Sequence, residues 1–217
     1  SVPAEVDTDE ITNFEFGWKT ILKDGNLRFN GSAFYVDVTG LQTTIFDPSI
    51  VNLFFSDNAA DATIKGVEGD FTYYTMKEGL SVAGAFSMLQ TEITDSLVPT
   101  NDVTVGSDLA FAPGLQGNVR VRQEWGMSAG NVGHMQVQFT YSDDSYSDVM
   151  GPNKAIQQSY SYVDMRFGIT NDDLTTELYI DNVTDERAEI SNTFVFDRQR
   201  VAYIRPTTVG IRIKKNY

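Results

Sequence analysis

The sequence carries one histidine, His134, and no cysteine. Disulfides, thiolate metal sites and a cysteine nucleophile are therefore excluded, and a metal cage or a catalytic triad has a single imidazole to draw on. His134 follows the glycine-rich stretch Gly126 to Gly133 and reads as a solvated turn residue. Glu68 and Asp70 stand two apart, the spacing of one strand face, where paired carboxylates can shuttle protons or simply line water. Asp143-Asp144, and Asp185-Glu186 with Glu189, offer oxygen ligands to a divalent cation. Their spacing matches no defined calcium loop, so they read as solvated charge, and no metal or cofactor is expected. Arg120, Arg122 and Arg166 are the cations placed to meet an anionic substrate, the acidic surface of a partner domain, or carboxylates of the chain itself. No catalytic constellation emerges.

These residues sit on segments that alternate with period two rather than with helical period. Phe14, Phe16, Trp18 and Leu22 share one face against Glu15, Gly17 and Lys19. Residues 27 to 43 form a second strand, with a bulge expected where the phase blurs at Phe34-Tyr35-Val36. Val67, Phe71 and Tyr73 oppose Glu68, Asp70 and Thr72, and Leu80, Val82, Phe86 and Met88 alternate with serine and alanine. Val119, Val121 and Trp125 oppose Arg120, Arg122 and Glu124. Met135 to Tyr141, Val163 to Ile169, Leu178 to Ile180 and Val209 to Ile213 repeat the pattern. About nine strands result. Their connections alternate between short turns (23–26, 77–79, 126–133, 171–173) and long loops (44–61, 95–113, 143–156, 184–199).

A chain of 217 residues with a net charge of −14 is a poor match for nucleic acid, which calls for clustered Lys and Arg. No stretch approaches the ~18–20 consecutive apolar residues of a membrane helix. A membrane β-strand needs only about 9–11 residues, apolar on one face. Two architectures share the alternation: a soluble β-sandwich with its greasy faces in a core, and a membrane barrel with those faces in lipid. The sorting of short turns from long loops, strands of 12 or more residues, and aromatic residues near strand ends (Trp125, Tyr141, Tyr217) favour the barrel.

Five motifs in order resemble TonB-dependent outer-membrane receptors. They are Asn13-Phe14-Glu15-Phe16-Gly17-Trp18-Lys19; Ala33-Phe34-Tyr35-Val36-Asp37 with Gln42; Lys65-Gly66-Val67-Glu68; Asn182-Val183-Thr184-Asp185; and Arg205-Pro206 with Val209-Gly210-Ile211-Arg212. The resemblance covers nearly the whole chain. It implies an all-β antiparallel meander of about nine long strands, residues 1–217 forming the C-terminal part of a 22-stranded transmembrane barrel in the bacterial outer membrane. It further implies a nutrient transporter rather than an enzyme, with a ferric siderophore, cobalamin or an oligosaccharide as cargo. The implied partners are a plug domain and the N-terminal barrel strands, the TonB energy-transducing system, lipid and lipopolysaccharide, and the barrel assembly machinery. Asn182, Asp185, Arg205, Pro206 and Gly210 become structural motif positions, and Tyr217, where the family usually has Phe, an assembly signal. A passive porin-like channel is the nearest alternative. On this reading nine strands cannot close alone, because unpaired backbone in lipid costs several kcal/mol per group.

Overall fold

The computed structural model describes residues 5–47, 53–98, 102–195 and 198–215. Thirteen strands are present: β1 (Glu10–Leu22), β2 (Leu27–Asp47), β3 (Leu53–Tyr74), β4 (Leu80–Ser96), β5 (Leu115–Gly126), β6 (Val132–Ser142), β7 (Ser145–Tyr146), β8 (Ile156–Gln157), β9 (Tyr160–Asn171), β10 (Leu174–Asp181), β11 (Glu189–Val195), β12 (Arg198–Tyr203) and β13 (Thr208–Lys215). Nine of them form one antiparallel sheet in the order β1-β2-β3-β4-β5-β6-β9-β10-β13, while β7-β8 and β11-β12 form two small ribbons. Among the described residues the sheet does not close on itself: β1 and β13 are its two edges.

The alternation read from the sequence decides which face is which. Phe14, Phe16, Val121, Phe139, Ile211 and Ile213 are exposed on one side, Phe16 by 73% and Ile211 by 70%. Among the described residues no second sheet covers this face, so the sandwich is not the architecture. An uncovered apolar sheet of this size is unstable in water and suits hydrocarbon. Each of the four short turns holds a residue at positive φ, Asp24 (54°), Gly79 (73°), Ala129 (58°) and Asp172 (47°), which reverses the chain within a few residues.

The other end of the sheet departs from the sequence reading. The described residues of 44–61 are strand rather than loop: β2 runs to Asp47 and β3 starts at Leu53, in a paired ladder that includes Thr44↔Ser56 and Thr43↔Asp57. Polar, small residues can hold a ladder beyond the membrane because backbone bonds need no apolar face. At about 3.3 Å per residue, the 21 residues of β2 reach roughly twice the length a crossing requires. The bulge also lies elsewhere. Pairing is continuous through Phe34, Tyr35 and Val36 and breaks at Val38/Leu41 and Leu41/Gln42. There Gly40 adopts φ 71°, its N–H donates to Asp61 Oδ1 at 2.8 Å and its carbonyl accepts Asn58 Nδ2 at 2.6 Å. The segment 184–199 likewise contains most of a ribbon, β11-β12, rather than irregular chain.

A small core sits at this loop end, not between the turns. Ala59, Ala60, Ile93, Val103, Val149 and Met150 are buried together, with Val98, Leu109 and Ala110 against them. Backbone bonds tie the long connection after β4 down onto the sheet, Ile93 N–H to Ser107 O (2.9 Å) and Gly106 N–H to Ile93 O (2.8 Å). The long loops therefore form a packed cap.

Candidate functional site on the polar face

The register of five neighbouring strands builds rows of polar side chains. Glu124 pairs with His134, His134 with Gly168, Gly168 with Glu177, and Glu177 with Arg212. One step along, Arg122, Gln136, Arg166, Tyr179 and Gly210 are in register. Because side chains alternate, both rows project from the face opposite the apolar one.

Glu177 is the hub. Its carboxylate lies 3.1 Å from His134 Nε2, 3.3 Å from Arg212 Nη1 and 4.0 Å from Arg166 Nε. Arg166 also pairs with Asp181 and donates to Met165 O at 2.9 Å. The guanidinium groups of Arg166 and Arg212 each lie 5.5 Å from the centre of the Tyr179 ring, within cation–π range. Two glycines make this possible: a Cβ on Gly168 would collide with the His134 ring, and one on Gly210 with the Tyr179 ring. His134 is thus 3% exposed, on a strand and paired with a carboxylate. It is not the solvated turn residue that its glycine neighbours suggest. The residue that covers it is Gly168, 34 positions away, and only the register brings the two together.

The three arginines singled out in the sequence have different settings. Arg166 is enclosed in the network just described. Arg122 pairs through Nε with Glu124 Oε1 at 2.8 Å. Arg120 is exposed on the same face. Glu177, Tyr179 and Asp181 complete the network and were not singled out in advance; their signal was the alternation Glu-Leu-Tyr-Ile-Asp, three polar-face residues in phase.

At the β1 edge the polar face turns acidic. Glu15, Trp18, Asn30, Ser32, Glu68 and Asp70 line an open depression of about 670 Å³. Asn30 Nδ2 donates to Asp70 Oδ2 at 3.3 Å and Ser32 Oγ to Glu68 Oε1 at 3.4 Å. Glu68 and Asp70 are therefore anchored side by side, with no imidazole nearby to work as an acid–base partner.

Where β10 ends, Asn182 is 3% exposed at φ 51°. Its Nδ2 donates to Glu186 O and Arg205 O, both at 2.9 Å, and its Oδ1 accepts Glu186 N–H at 2.9 Å. Asp185 Oδ1 accepts Thr207 N–H at 3.1 Å, and Oδ2 accepts Arg187 Nη2 at 3.1 Å. The Thr207 backbone donor, followed by Arg187, holds the Asp185 carboxyl below its ordinary range. Pro206 O accepts Thr208 Oγ1 at 2.9 Å, which fixes entry into β13. Tyr217 lies outside the described residues. Among the described residues no group of three or more His, Asp or Glu is placed to hold a metal ion.

The family model described as "TonB dependent receptor-like, beta-barrel" matches residues 9–183. A comparison with curated protein sequences returned no match. Among solved structures, the chain is similar to the ferric yersiniabactin uptake receptor FyuA from Yersinia pestis, with 18% identity and a TM-score of 0.75 over 96% of this chain and 30% of that one. It is similar to the siderophore receptor PiuA from Acinetobacter baumannii, with 16% identity and a TM-score of 0.73 over 98% and 30%. It is also similar to the ferric preacinetobactin receptor BauA from Acinetobacter baumannii, with 17% identity and a TM-score of 0.68 over 94% and 29%. The chain spans about 30% of the length of the first two of these structures.

Proposed function

The chain belongs to the TonB-dependent receptor β-barrel family, and on that premise we propose that residues 1–217 are the C-terminal segment of the barrel of an active outer-membrane transporter. Members of the family are β-barrel proteins of the Gram-negative outer membrane. The cargo is a scarce nutrient held by the outer loops: a ferric siderophore, as the names of FyuA, PiuA and BauA suggest, or cobalamin or an oligosaccharide. This segment supplies wall and outer loops and catalyses no reaction. A plug domain and the N-terminal barrel strands complete the receptor, and the TonB system supplies energy through the plug. Lipid and lipopolysaccharide contact the apolar face, and Tyr217 is read by the assembly machinery. Arg120, Arg122 and Arg166 contribute to the wall's charge pattern, with Arg166 structural through Glu177 and Asp181.

One observation carries this reading: an open nine-stranded sheet that is apolar and uncovered on one side and laced with ion pairs on the other. Such a sheet needs lipid on the first side, further strands at both edges, and a wet or protein-filled lumen on the second. A passive channel shares the wall but not the energy requirement. The test is uptake of the cargo by cells carrying the full-length receptor, with and without the TonB system. Active transport requires uptake to collapse when TonB is removed; unchanged uptake would sink the reading in favour of the channel.

A further inference from the structure

The outward face of the wall changes character at a single height. Phe16, Ala33, Val67, Met88 and Leu115 are in register across β1 to β5, an apolar row with Phe16, Val67 and Met88 exposed. Two residues further toward the loops, the same face carries Phe14, Tyr35, Lys65 and Gln90. Two residues beyond that, it carries Thr12, Asp37, Thr63 and Glu92. The opposite face changes the other way. There Val38, Ala62 and Ile93 are in register and buried. Thr91 Oγ1 on that face accepts Leu109 N–H at 3.0 Å from the connection after β4, which packs against Ile93.

Polarity thus inverts across the sheet, and the row at the inversion marks the edge of the hydrocarbon. Asp37 and Glu92 are exposed carboxylates on the outward face, and charge on a lipid face is costly within the apolar band. Phe16, Val67 and Met88, equally exposed on that face, need the band. The height of the band agrees. On β5, the stretch from Leu115 to Trp125 covers about 33 Å of strand, which at a tilt of ~45° is roughly 23 Å along the membrane normal. The apolar band of an outer-membrane barrel is about 25 Å tall. Leu115 is level with Met88 through the register, so the upper limit is the same on β4 and β5.

We infer that the Lys65 row meets the head-group layer of the outer leaflet and that Lys65 holds a lipopolysaccharide phosphate. The polar layer is about 5–8 Å deep on each side of a bilayer. A step of two residues rises ~5 Å at that tilt, so the layer covers the Lys65 row and the one beyond it. Among the described residues, Lys65 is the one cation on the outward face of β1 to β4, and it is exposed. Among them it also pairs with no carboxylate. Its apolar stem suits the hydrocarbon edge while its ammonium reaches the polar layer. Tyr35 and Gln90 stand directly opposite it on the two neighbouring strands. Asp37 and Glu92, one row out, repel a phosphate, and hydrocarbon excludes one a row in. A single level is left for the anion. A phosphate monoester, as lipopolysaccharide carries, has about −1.5 to −2 charge at neutral pH and three free oxygens. Those oxygens match the donors of Tyr35, Lys65 and Gln90. A phospholipid diester offers less charge and one oxygen fewer.

The inference rests on the outer-membrane part of the proposed function and not on energy coupling. Its test places single nitroxides at Val67→Cys and Thr63→Cys, on either side of Lys65 on the same face of β3. The full-length receptor is reconstituted in phosphatidylcholine bilayers alone, or with lipopolysaccharide, dephosphorylated lipopolysaccharide or phosphatidylglycerol. The Val67 site is expected to collide preferentially with oxygen and the Thr63 site with a water-soluble nickel chelate. Lipopolysaccharide is expected to at least halve nickel collision at the Thr63 site, and the other two additions to do clearly less. Lys65→Gln is expected to lose that protection and Lys65→Arg to keep it, with the unfolding midpoint of each variant measured alongside. Nickel access at the Val67 site or oxygen preference at the Thr63 site overturns the inference. So does equal protection by phosphatidylglycerol or the dephosphorylated form, or full protection in folded Lys65→Gln. Uptake that persists without TonB would sink only the transport reading, because a passive channel would carry the same row. TonB-dependent uptake without lipopolysaccharide protection would sink only the Lys65 site.

Discussion

Asn182 gives the sharpest test of how the last two barrel strands are held in register. Its side chain makes three bonds to backbone, to Glu186 O, Arg205 O and Glu186 N–H, and it does so at φ 51°. Asn182→Gly removes the three bonds but tolerates the dihedral. At about 1 kcal/mol net per bond, it is expected to cost about 3 kcal/mol. Asn182→Ala removes the same bonds, and alanine lacks the local side-chain bonds through which asparagine tolerates the left-handed region, so it is expected to cost about 1–2 kcal/mol more than glycine, for a total of about 4–5 kcal/mol. Asn182→Asp keeps one acceptor but sets a buried carboxylate oxygen against the Glu186 and Arg205 carbonyls, so it is expected to cost more than the glycine variant. The assay is guanidinium unfolding of the full-length receptor in detergent, followed by tryptophan fluorescence, with the shift in midpoint converted through the slope. A glycine variant within about 0.5 kcal/mol of wild type, below the expected worth of even one such bond, would refute the account of the bonds. An alanine variant no worse than glycine would refute the account of the backbone.

Gly168→Ala pushes a methyl into the His134 ring and is expected to cost about 1–3 kcal/mol, as overpacking does. His134→Ala combined with it should be clearly less destabilising than the sum of the two single changes, because the collision is gone, and a double-mutant cycle reads this directly. Asp185 has its carboxyl lowered by the Thr207 N–H and Arg187. Its contribution to stability is therefore fully present above the ordinary carboxylate range and is lost as pH falls through the lower folded-state value. Unfolding midpoints of wild type and Asp185→Asn should differ at neutral pH and converge below about pH 4; a constant gap across that range would contradict the assignment.

The membrane part of the fold was legible because lipid enforces a strict code. Every second residue from Val163 to Ile169 or from Val209 to Ile213 is apolar, and a tight turn such as Asn171-Asp172-Asp173 leaves little choice of residue. Beyond the membrane that code lapses. Residues 57–61, Asp-Asn-Ala-Ala-Asp, continue β3 with no apolar face to announce a strand, and the β11-β12 ribbon is equally silent. The polar network was half legible. Glu177, Tyr179 and Asp181 show the right phase, but their partners Arg166 and His134 depend on the β6-β9-β10 register, which no local pattern encodes. His134 was misplaced for that reason: next to Gly133 it looks like a turn, and its burial comes from Gly168 on the next strand.

The central claim is that the face bearing Phe16, Val121 and Ile211 meets lipid while the face bearing Arg122, Glu177 and Arg212 meets the lumen. The direct measurement places a nitroxide label at single cysteines (Phe16→Cys, Val121→Cys, Ile211→Cys, and Arg122→Cys, Glu177→Cys, Arg212→Cys) in the full-length receptor in bilayers. Collision with dissolved oxygen is then compared with collision with a water-soluble nickel chelate. The first three sites should favour oxygen and the last three should not, alternating with period two along each strand. Equal accessibility on both faces, or nickel access at Val121 and Ile211, would contradict it.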